Sequence, residues 1–579
     1  MTRAGKGQTI IEPTIDMWTR EKRPNNIVIN DPKGELLFKF YAPGTVRGFQ
    51  IVQFNLINSM KTDIYNPLGM AAQAAREGDT TKCATYVENI AEVFFPTDGA
   101  DDPFWPNAAN NAFKRAAYGL IDYYLELERA YRVEVDKKIA NGEYVDMKKV
   151  EQYIDALWGR VTLFNCYQLF VQLSSKKLPS PMQDFQQKLK AGEFDDLTDA
   201  EVEEKAAEAQ KLAPLWGSNK ELDCLSLYFA ATERLPKNSI RNLIGNADNS
   251  LKAMGGSEKT IASVYGIAIT AMSFFTDPTI STLTSGPPSQ TIDLAGYAFP
   301  RRMGVRFHTD YVAKNHYVGL QCMWDAFSDE NFKHSLGKDF EHKDLVSREG
   351  WARYYFDGKF PTDVAYIRLR LVNPGTGMSV ATHYFKFVKN YKTTLDGRFI
   401  FKDPLLDTKI VKDGLLYELL PVKKKVRNKK TGEIKEKIKY EVGSSTFPFA
   451  RAMIERDAND PDSYVYEVET AGVNVITQNY VKYSEQPKMT FLVTPPHLMK
   501  YAKLILILVK QLVDLNFDQS YLTKSNQKPL YKTRFMLDEL GNLQSEGHGI
   551  SGFQTMLSIG LGQDQQFSAT SCVLKRYAA

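Results

Sequence analysis

The spacing of apolar and polar residues changes along the chain, and the first 68 residues combine two patterns. Thr9–Thr19 has apolar residues at helical spacing, whereas Ile27–Asn30 and Phe49–Phe54 are short, mainly apolar runs. Apolar runs closed by turn residues, here Asp-Pro-Lys-Gly after Asn30, are typical of strands buried in a parallel sheet. The N-terminal region therefore predicts alternating helices and strands.

Residues 69–285 have the composition of a helical region. Glu, Lys, Ala and Leu dominate it, and turn residues separate its runs. The predicted helices are Ala71–Glu77, Glu88–Phe95, Ala108–Ile139, Met147–Leu173, Ala200–Leu212, Leu222–Thr232 and Glu258–Phe275.

Residues 290–483 change to short segments rich in β-branched and aromatic residues, with Gly, Pro and Asn between them. The predicted strands are Val305–Asp310, Tyr366–Val372, Ala381–Val388, Arg398–Phe401 and Ser463–Glu469. This pattern predicts a β-rich domain of the sandwich type.

A basic run, Lys423–Lys439, lies within the β-rich region and contains nine Lys or Arg residues against two Glu. Its centre, Lys430–Glu433, has the character of the tip of a long hairpin. Two interpretations stay open, a solvated hairpin or a contact with DNA phosphates or anionic lipid headgroups. Because aromatic residues are not interleaved with the charges, the run does not indicate base stacking.

Residues 488–567 return to the α/β pattern. Met489–Val493 and Arg534–Leu537 are predicted strands, and the second is followed by Asp538-Glu539. His497–Leu515 is a predicted helix whose apolar residues nearly encircle it, which predicts a buried position.

Composition excludes several classes of protein. A chain of 579 residues with 43% hydrophobic and 25% charged residues has globular proportions, which argues against a disordered, collagen-like or coiled-coil protein. The net charge of +4 is too small to indicate nucleic-acid binding by itself. Five scattered cysteines without a C-x-x-C pair fit a reducing compartment, and the seven histidines lack the spacing of metal ligands. Without a run of 18 apolar residues, the chain is expected to be soluble.

The first candidate for chemistry is Ala4-Gly5-Lys6-Gly7, which has the form of the end of a phosphate-binding loop. In such a loop glycines let backbone N–H groups surround the phosphates, and a lysine reaches the β- and γ-phosphates. The Ser or Thr that normally follows the lysine and binds Mg²⁺ is replaced by Gly7, and Thr9 is the nearest substitute. A disordered Gly/Lys N-terminus is the alternative interpretation.

The second candidate is Phe535–Glu539, an apolar strand that ends in Asp-Glu. In a Walker B motif the Asp holds the Mg²⁺ shell and the Glu polarises the attacking water. A solvated strand end would have the same pattern. Together the two motifs bracket the α/β segments, where a parallel sheet places its ligand.

With further motifs, these residues give the chain a resemblance to the TraG/TraD-type coupling proteins of conjugative type IV secretion. The matching stretches run in the family's order through nearly the whole chain, and they most resemble versions from conjugative elements of Gram-positive bacteria. They are Thr2–Gly7, Ile27–Leu36, Tyr65–Leu68, Asp102–Ala109, Gly256–Thr260, Phe535–Leu543 and Ser558–Phe567.

The resemblance implies an α/β fold with a RecA-like P-loop ATPase core that is split in sequence. The core would comprise residues 1–110 and 486–567, with an inserted all-α domain at 111–290, an inserted β-rich domain at 291–485 and an atypical tail at 568–579. The intact protein would be a hexameric ATPase at the cytoplasmic face of the bacterial membrane. It would recruit relaxase-bound single-stranded DNA, together with relaxosome proteins, to the channel subunits and drive DNA transfer.

The resemblance also assigns roles to individual residues. ATP would be bound by Arg3, Ala4, Gly5, Lys6, Gly7, Gln8 and Thr9. Lys6 would contact phosphate, Asp538 would hold Mg²⁺ through water with Thr9 as a further ligand, and Glu539 would be the catalytic base. Asp31 and Lys33 match a family motif without a chemical role that the sequence defines. An arginine from a neighbouring subunit is expected, and Arg301 and Arg302 are visible candidates near a domain boundary.

The chain also departs from the family pattern. Membrane helices normally precede the phosphate-binding loop, and an apolar strand with a glutamine normally follows Phe567, whereas the chain reads differently from Ser568. We expect a fragment that lacks both ends. Two alternatives to the ATPase follow, a relaxosome or DNA receptor without turnover and a chromosome-segregation-type DNA translocase. The Asp102–Ala109 motif and the helical insertion argue against the second.

Overall fold

The structure is a computed structural model of the whole chain. It describes residues 7–57, 62–97, 102–140, 143–217, 220–253, 258–393, 409–427, 434–456, 464–494, 501–515, 528–537 and 565–569. By their contacts these residues form two compact units, one of residues 1–63, 130–151 and 292–579 and one of residues 64–129 and 152–291. The domain boundaries expected at residues 110, 290 and 485 stay predictions.

The helices occupy mainly the first half of the chain. They are α1 (Glu12–Thr19), α2 (Glu35–Val46), α3 (Gly69–Arg76), α4 (Thr80–Phe94), α5 (Phe104–Ala140), α6 (Met147–Trp158), α7 (Leu163–Gln168), α8 (Pro181–Lys190), α9 (Asp199–Leu212), α10 (Cys224–Glu233), α11 (Ser239–Ala253), α12 (Glu258–Met272), α13 (Pro278–Leu283), α14 (Ala295–Ala298), α15 (Thr309–Lys314) and α16 (Ala502–Leu515). A π-helical turn over Gly7–Ile11 leads directly into α1.

The strands lie mainly in the second half. They are β1 (Asn26–Asn30), β2 (Gln50–Asn55), β3 (Lys177–Pro179), β4 (Glu221–Asp223), β5 (Arg301–Phe307), β6 (Gln321–Phe327), β7 (His342–Leu345), β8 (Trp351–Tyr355), β9 (Val364–Val372), β10 (Ser379–Thr393), β11 (Lys409–Arg427), β12 (Ile434–Val442), β13 (Thr446–Arg456), β14 (Tyr464–Asn474), β15 (Ile476–Tyr483), β16 (Lys488–Val493), β17 (Thr533–Leu537) and β18 (Gln565–Ala569).

A parallel sheet forms from segments at opposite ends of the chain. Its strand order is β18-β17-β1-β16-β2, and every pair of neighbours is parallel. The central strands β1, β16 and β17 are buried throughout, which confirms the prediction of buried parallel strands from continuous apolar runs. The buried helix predicted over His497–Leu515 is confirmed for Ala502–Leu515, because α16 buries all of its apolar residues, and residues 497–500 lie outside the described residues.

Helices α1 and α2 pack on one face of this sheet. Their apolar side chains form a core with alternate residues of the strands, and the members of this core are Ile11, Ile15, Ile27, Ile29, Leu36, Phe40, Phe49, Met489, Phe491, Val493 and Met536. Because side chains alternate across a strand, these residues mark the face that the two helices cover.

The described strands of the β-rich region in the same unit form three antiparallel sheets. Their orders are β12-β11-β10-β9-β6-β7, β15-β5-β8 and β13-β14. One hydrophobic core draws buried residues from all three, among them Trp324, Tyr354 and Phe387. The prediction of a β-rich region is confirmed, and its assignment as a sandwich stays a prediction. Arg398–Phe401 lies outside the described residues.

The helical unit is held by aromatic packing and by buried ion pairs. Phe94 stacks on Phe274 and contacts Phe95 and Phe113 at centroid distances of 6.0–6.2 Å. Arg115 pairs with Asp248, and both side chains are buried. A buried charge is tolerated only when it is paired, so this contact fixes how the helices of the unit pack.

Two predictions of secondary structure are wrong at particular residues. Met147–Leu173 is not one helix, because α6 ends at Trp158 and α7 begins at Leu163, where the Thr162 hydroxyl oxygen accepts the backbone N–H of Asn165. The strand predicted over Val305–Asp310 ends at Phe307, since the His308 ring accepts the backbone N–H of Asp310 and begins α15. In each case a capping side chain starts a helix that apolar periodicity does not reveal.

Candidate functional site

The carboxyl edge of the parallel sheet is the candidate site. Strands β1, β2, β16 and β17 all end at this edge because they run parallel. In open α/β sheets ligands bind outside the carboxyl ends of the strands. The phosphate-binding and Walker B motifs are therefore expected at this edge.

The N-terminus of α1 lies at this edge. Helix α2 begins there, because only four residues separate its start from the end of β1. Lys39 in the second turn of α2 bonds Glu12 in the first turn of α1 at 2.6 Å, and Arg47 after α2 bonds Asp16 at 2.8 Å. The helices therefore run side by side in the same direction, and the turn Gly7–Ile11 lies at the edge where α2 starts.

Three of the predicted nucleotide-binding residues are described. Gly7, Gln8 and Thr9 form the π-helical turn before α1, with Gly7 half-buried and the other two exposed. Arg3, Ala4, Gly5 and Lys6 lie outside the described residues, as do the predicted Asp538 and Glu539. Asp538 follows Leu537 directly in the chain, and Leu537 is the last residue of β17. The structure thus brings the described part of the loop to the edge at which β17 ends.

Asp31 has a structural role that the sequence alone did not define. It is buried at the end of β1, and its Oδ2 accepts the backbone N–H of Leu37 at 2.8 Å. The carboxylate therefore closes the N-terminus of α2 across a tight turn in which Gly34 has a φ of 75°. Burial raises the pKa of Asp31, although bonds from backbone N–H groups of the turn favour its charged form. Lys33 is exposed on the same turn.

Thr494 is a residue at this edge that sequence reasoning missed. It follows β16, its side chain is buried, and within the described part of the chain its Oγ1 has no hydrogen-bond partner. A buried hydroxyl without a partner is costly in a purely structural role. The sequence places this threonine in a turn before Pro495 and Pro496, and that pattern predicts neither its burial nor its missing hydrogen-bond partner.

The amino edge of the sheet is closed by a buried polar cluster. Lys488, the first residue of β16, donates to the carbonyl of Gly296 at 2.8 Å, and Asn26 accepts the Lys488 backbone N–H and donates to the Tyr297 carbonyl. Burial lowers the pKa of Lys488 to about 8, against the attraction of Asp293. These groups bind one another, so this edge is a structural junction.

Arg301 and Arg302 are not available to a neighbouring subunit, and the expectation that placed them there is wrong. Both side chains are buried. Arg301 donates to the carbonyls of Ser484 and Asp357, whereas Arg302 bonds Asp293 at 2.6 Å. Their guanidinium groups hold the chain together around β5.

Thiol and metal chemistry find no support in the residues described. Among them, no group of three or more His, Cys, Asp or Glu side chains is placed to hold a metal ion. Cys83, Cys166 and Cys322 are buried free thiols, and burial raises the pKa of the first two to about 12. Reactive cysteines require the opposite shift.

Within the part of the chain that the structure describes, no helix combines the length and the apolar character needed to cross a bilayer.

The model of one protein family, described as "Type IV secretory system Conjugative DNA transfer", matches residues 1–295. The match includes the turn before α1, strands β1 and β2 and the helical region. No curated protein matches the sequence significantly.

Proposed function

The chain belongs to the type IV secretory system conjugative DNA transfer family, and from this premise we propose that it is an ATP-hydrolysing coupling protein. It recruits relaxase-bound single-stranded DNA to a secretion channel and drives the transfer of that DNA. Its core is RecA-like, its active form is a homohexamer at the cytoplasmic face of the membrane, and its partners are relaxosome proteins and channel subunits.

One observation carries this proposal. The helix that follows Gly5-Lys6-Gly7 begins at the carboxyl edge of the parallel sheet, and the strand that precedes Asp538-Glu539 ends at the same edge. A helix N-terminus favours negative charge, and acidic residues at a neighbouring strand end suit a magnesium shell. The buried Thr494 hydroxyl at this edge is a further group suited to a polar ligand.

In the proposed reaction ATP is the substrate, Mg²⁺ is the cofactor, and residues of the chain bind and orient both. ATP with Mg²⁺ supplies the phosphoanhydride bond and neutralises charge on the phosphates. In the proposal Lys6 binds the phosphates, Asp538 orients the magnesium shell through water, and Glu539 accepts a proton from the attacking water. Gly7 supplies no hydroxyl, so Thr9 is the proposed additional magnesium contact.

Phosphate release from ATP tests this assignment. Wild-type protein is assayed with and without single-stranded DNA, beside Lys6→Ala and Glu539→Gln. Lys22→Ala is the matched control, because Lys22 is exposed just beyond the C-terminal end of α1. We expect single-stranded DNA to increase the rate of phosphate release by the wild type. Both active-site variants should release phosphate at least about 100-fold more slowly than the wild type, and the control should release it at the wild-type rate. Equal rates in the wild type and Glu539→Gln would contradict the assignment.

The absence of a hydroxyl at Gly7 favours one alternative, a relaxosome or DNA receptor that binds without turnover. The same assay separates the two functions. DNA binding without phosphate release at any DNA concentration supports the receptor, whereas hydrolysis that depends on Glu539 excludes it.

A further inference from the structure

Strands β11 and β12 continue beyond their sheet as a two-stranded ribbon. Pairing between β10 and β11 reaches Leu419, and from Leu420 onward β11 pairs with β12 alone among the described strands. The ribbon register runs from Leu420 opposite Glu441 to Arg427 opposite Ile434. This arm contains the basic run that the sequence singles out, and the residues 428–433 between its strands lie outside the described part.

Five lysines of the described ribbon are exposed, namely Lys423, Lys424, Lys425, Lys437 and Lys439. Lys424 pairs with Glu441, and the other four have no ion pair with another described residue. Lys424 also lies directly opposite Lys437, although like charges opposite each other destabilise a ribbon. Lys425 lies opposite Glu436, but the described arm still carries five exposed lysines against two glutamates, and this excess of positive charge suits an anionic partner.

The register places the lysines on both faces of the ribbon. Directly paired residues share a face, so Lys424, Lys437 and Lys439 lie on one face and Lys423 and Lys425 on the other. A flat membrane surface contacts only one face of such an arm. The groove of a DNA duplex has a phosphate backbone on each side, and the major groove is wide enough for a two-stranded ribbon.

Aromatic residues distinguish duplex from single-stranded DNA as the partner. Proteins that hold single strands stack bases on exposed aromatic side chains. Tyr440 is the aromatic residue of the described ribbon, and it packs against Phe332 and Tyr384 with centroid distances of 4.7 and 4.6 Å. The described arm therefore offers charges for phosphates and no aromatic platform for bases.

We propose that the β11–β12 ribbon lies in the major groove of duplex DNA and contacts its phosphates with Lys423, Lys425, Lys437 and Lys439. This contact is separate from the ATP site and from the handling of single-stranded DNA. The proposal that the partner is DNA rests on membership of a DNA-transfer family. The proposal that this DNA is a duplex rests on the geometry of the ribbon. Phosphate contacts position a protein without reading sequence, so binding should be independent of sequence.

The test compares the wild type with a variant in which these four lysines are changed to Gln. The control variant has Lys190→Gln, Lys211→Gln, Lys220→Gln and Lys237→Gln, which remove the same charge from exposed sites of the helical unit. Fluorescence anisotropy measures binding to a 30-base-pair duplex, to the corresponding single strand and to vesicles that contain phosphatidylserine. Thermal unfolding of each variant checks that it is folded.

Each phosphate contact lowers the slope of log affinity against log salt by about 0.9, so four contacts contribute roughly 3 to 4. We expect the salt dependence of duplex binding by the ribbon variant to be shallower than that of the wild type by this amount. At low salt the variant should bind duplex about 100-fold more weakly than the wild type. Its binding to vesicles should equal that of the wild type. The charge control should bind like the wild type. A wild-type protein that does not bind duplex, an unchanged affinity in the ribbon variant, or a loss confined to vesicles or to single strands would overturn the proposal. None of these results bears on whether phosphate release depends on Lys6 and Glu539, which is the test of the ATP site.

Discussion

Replacement of Asp31 tests how the candidate edge is built. Its carboxylate is buried and accepts the Leu37 N–H at 2.8 Å, so Asp31→Ala leaves a donor of the α2 N-terminus without its partner. Loss of a helix cap costs about 0.5–2 kcal/mol, and a buried unsatisfied donor costs about 1–3 kcal/mol. Both costs describe the loss of the same hydrogen bond, so they are not added. We expect Asp31→Ala to destabilise the N-terminus of α2 by about 2 kcal/mol.

Amide hydrogen exchange over Glu35–Val46 measures this cost directly, because it reports the local opening of α2. A loss of about 2 kcal/mol corresponds to a decrease in protection of roughly 30-fold. Asp31→Asn keeps an acceptor oxygen and removes a carboxylate whose pKa burial raises, so the protection of α2 in this variant should remain within about fivefold of the wild type. Unchanged protection in Asp31→Ala would refute the capping role.

The same pair of variants distinguishes a cap from a ligand-binding carboxylate. A cap predicts that Asp31→Asn retains ATP hydrolysis, because the amide oxygen still accepts the Leu37 N–H. If Asp31→Asn abolished hydrolysis while α2 stayed protected, the charge itself would act on the ligand. The capping account would then be incomplete.

Two further predictions concern buried charges. The pKa of Lys488 is about 8 in the folded protein and 10.5 in the unfolded chain. Between these pH values the unfolded state therefore binds more protons than the folded state. The free energy of unfolding of the wild type, relative to that of Lys488→Met, should consequently rise with pH over this window. Denaturant unfolding of both proteins at pH 7.5 and pH 10 measures this, and parallel pH profiles would contradict it. In the helical unit, Arg115→Met removes one half of the buried Arg115–Asp248 ion pair and should lower the free energy of unfolding by about 3–5 kcal/mol. Arg115→Met with Asp248→Asn should recover part of that loss, and thermal unfolding that shows no recovery would contradict the pairing.

Much of the fold could be predicted because its signals are local. Ile27–Asn30 and Met489–Val493 are continuous apolar runs, and burial of both faces of a central parallel strand requires this pattern. The same reasoning applies to α16, whose apolar residues lie on nearly all sides of the helix and are buried. The hairpin around Lys430–Glu433 was also indicated, and the strands on either side of it pair as expected.

Interactions distant in sequence could not be predicted in this way. Asn26 and Lys488 are 462 residues apart, yet they bond at the amino edge of the sheet. Arg301 and Arg302 resemble exposed arginines in the sequence, because only the folded chain places backbone carbonyls around them. The hydroxyl of Thr494 became a candidate only when its burial was known.

The central claim is that ATP hydrolysis at the carboxyl edge drives DNA transfer, and a mating assay measures this most directly. Donor cells carry wild-type, Lys6→Ala, Glu539→Gln or Lys22→Ala alleles in the natural gene, with protein levels compared by immunoblot. We predict that both active-site alleles reduce transfer to the level of a gene deletion, while Lys22→Ala transfers like the wild type. Normal transfer by Glu539→Gln at normal protein level would contradict the claim.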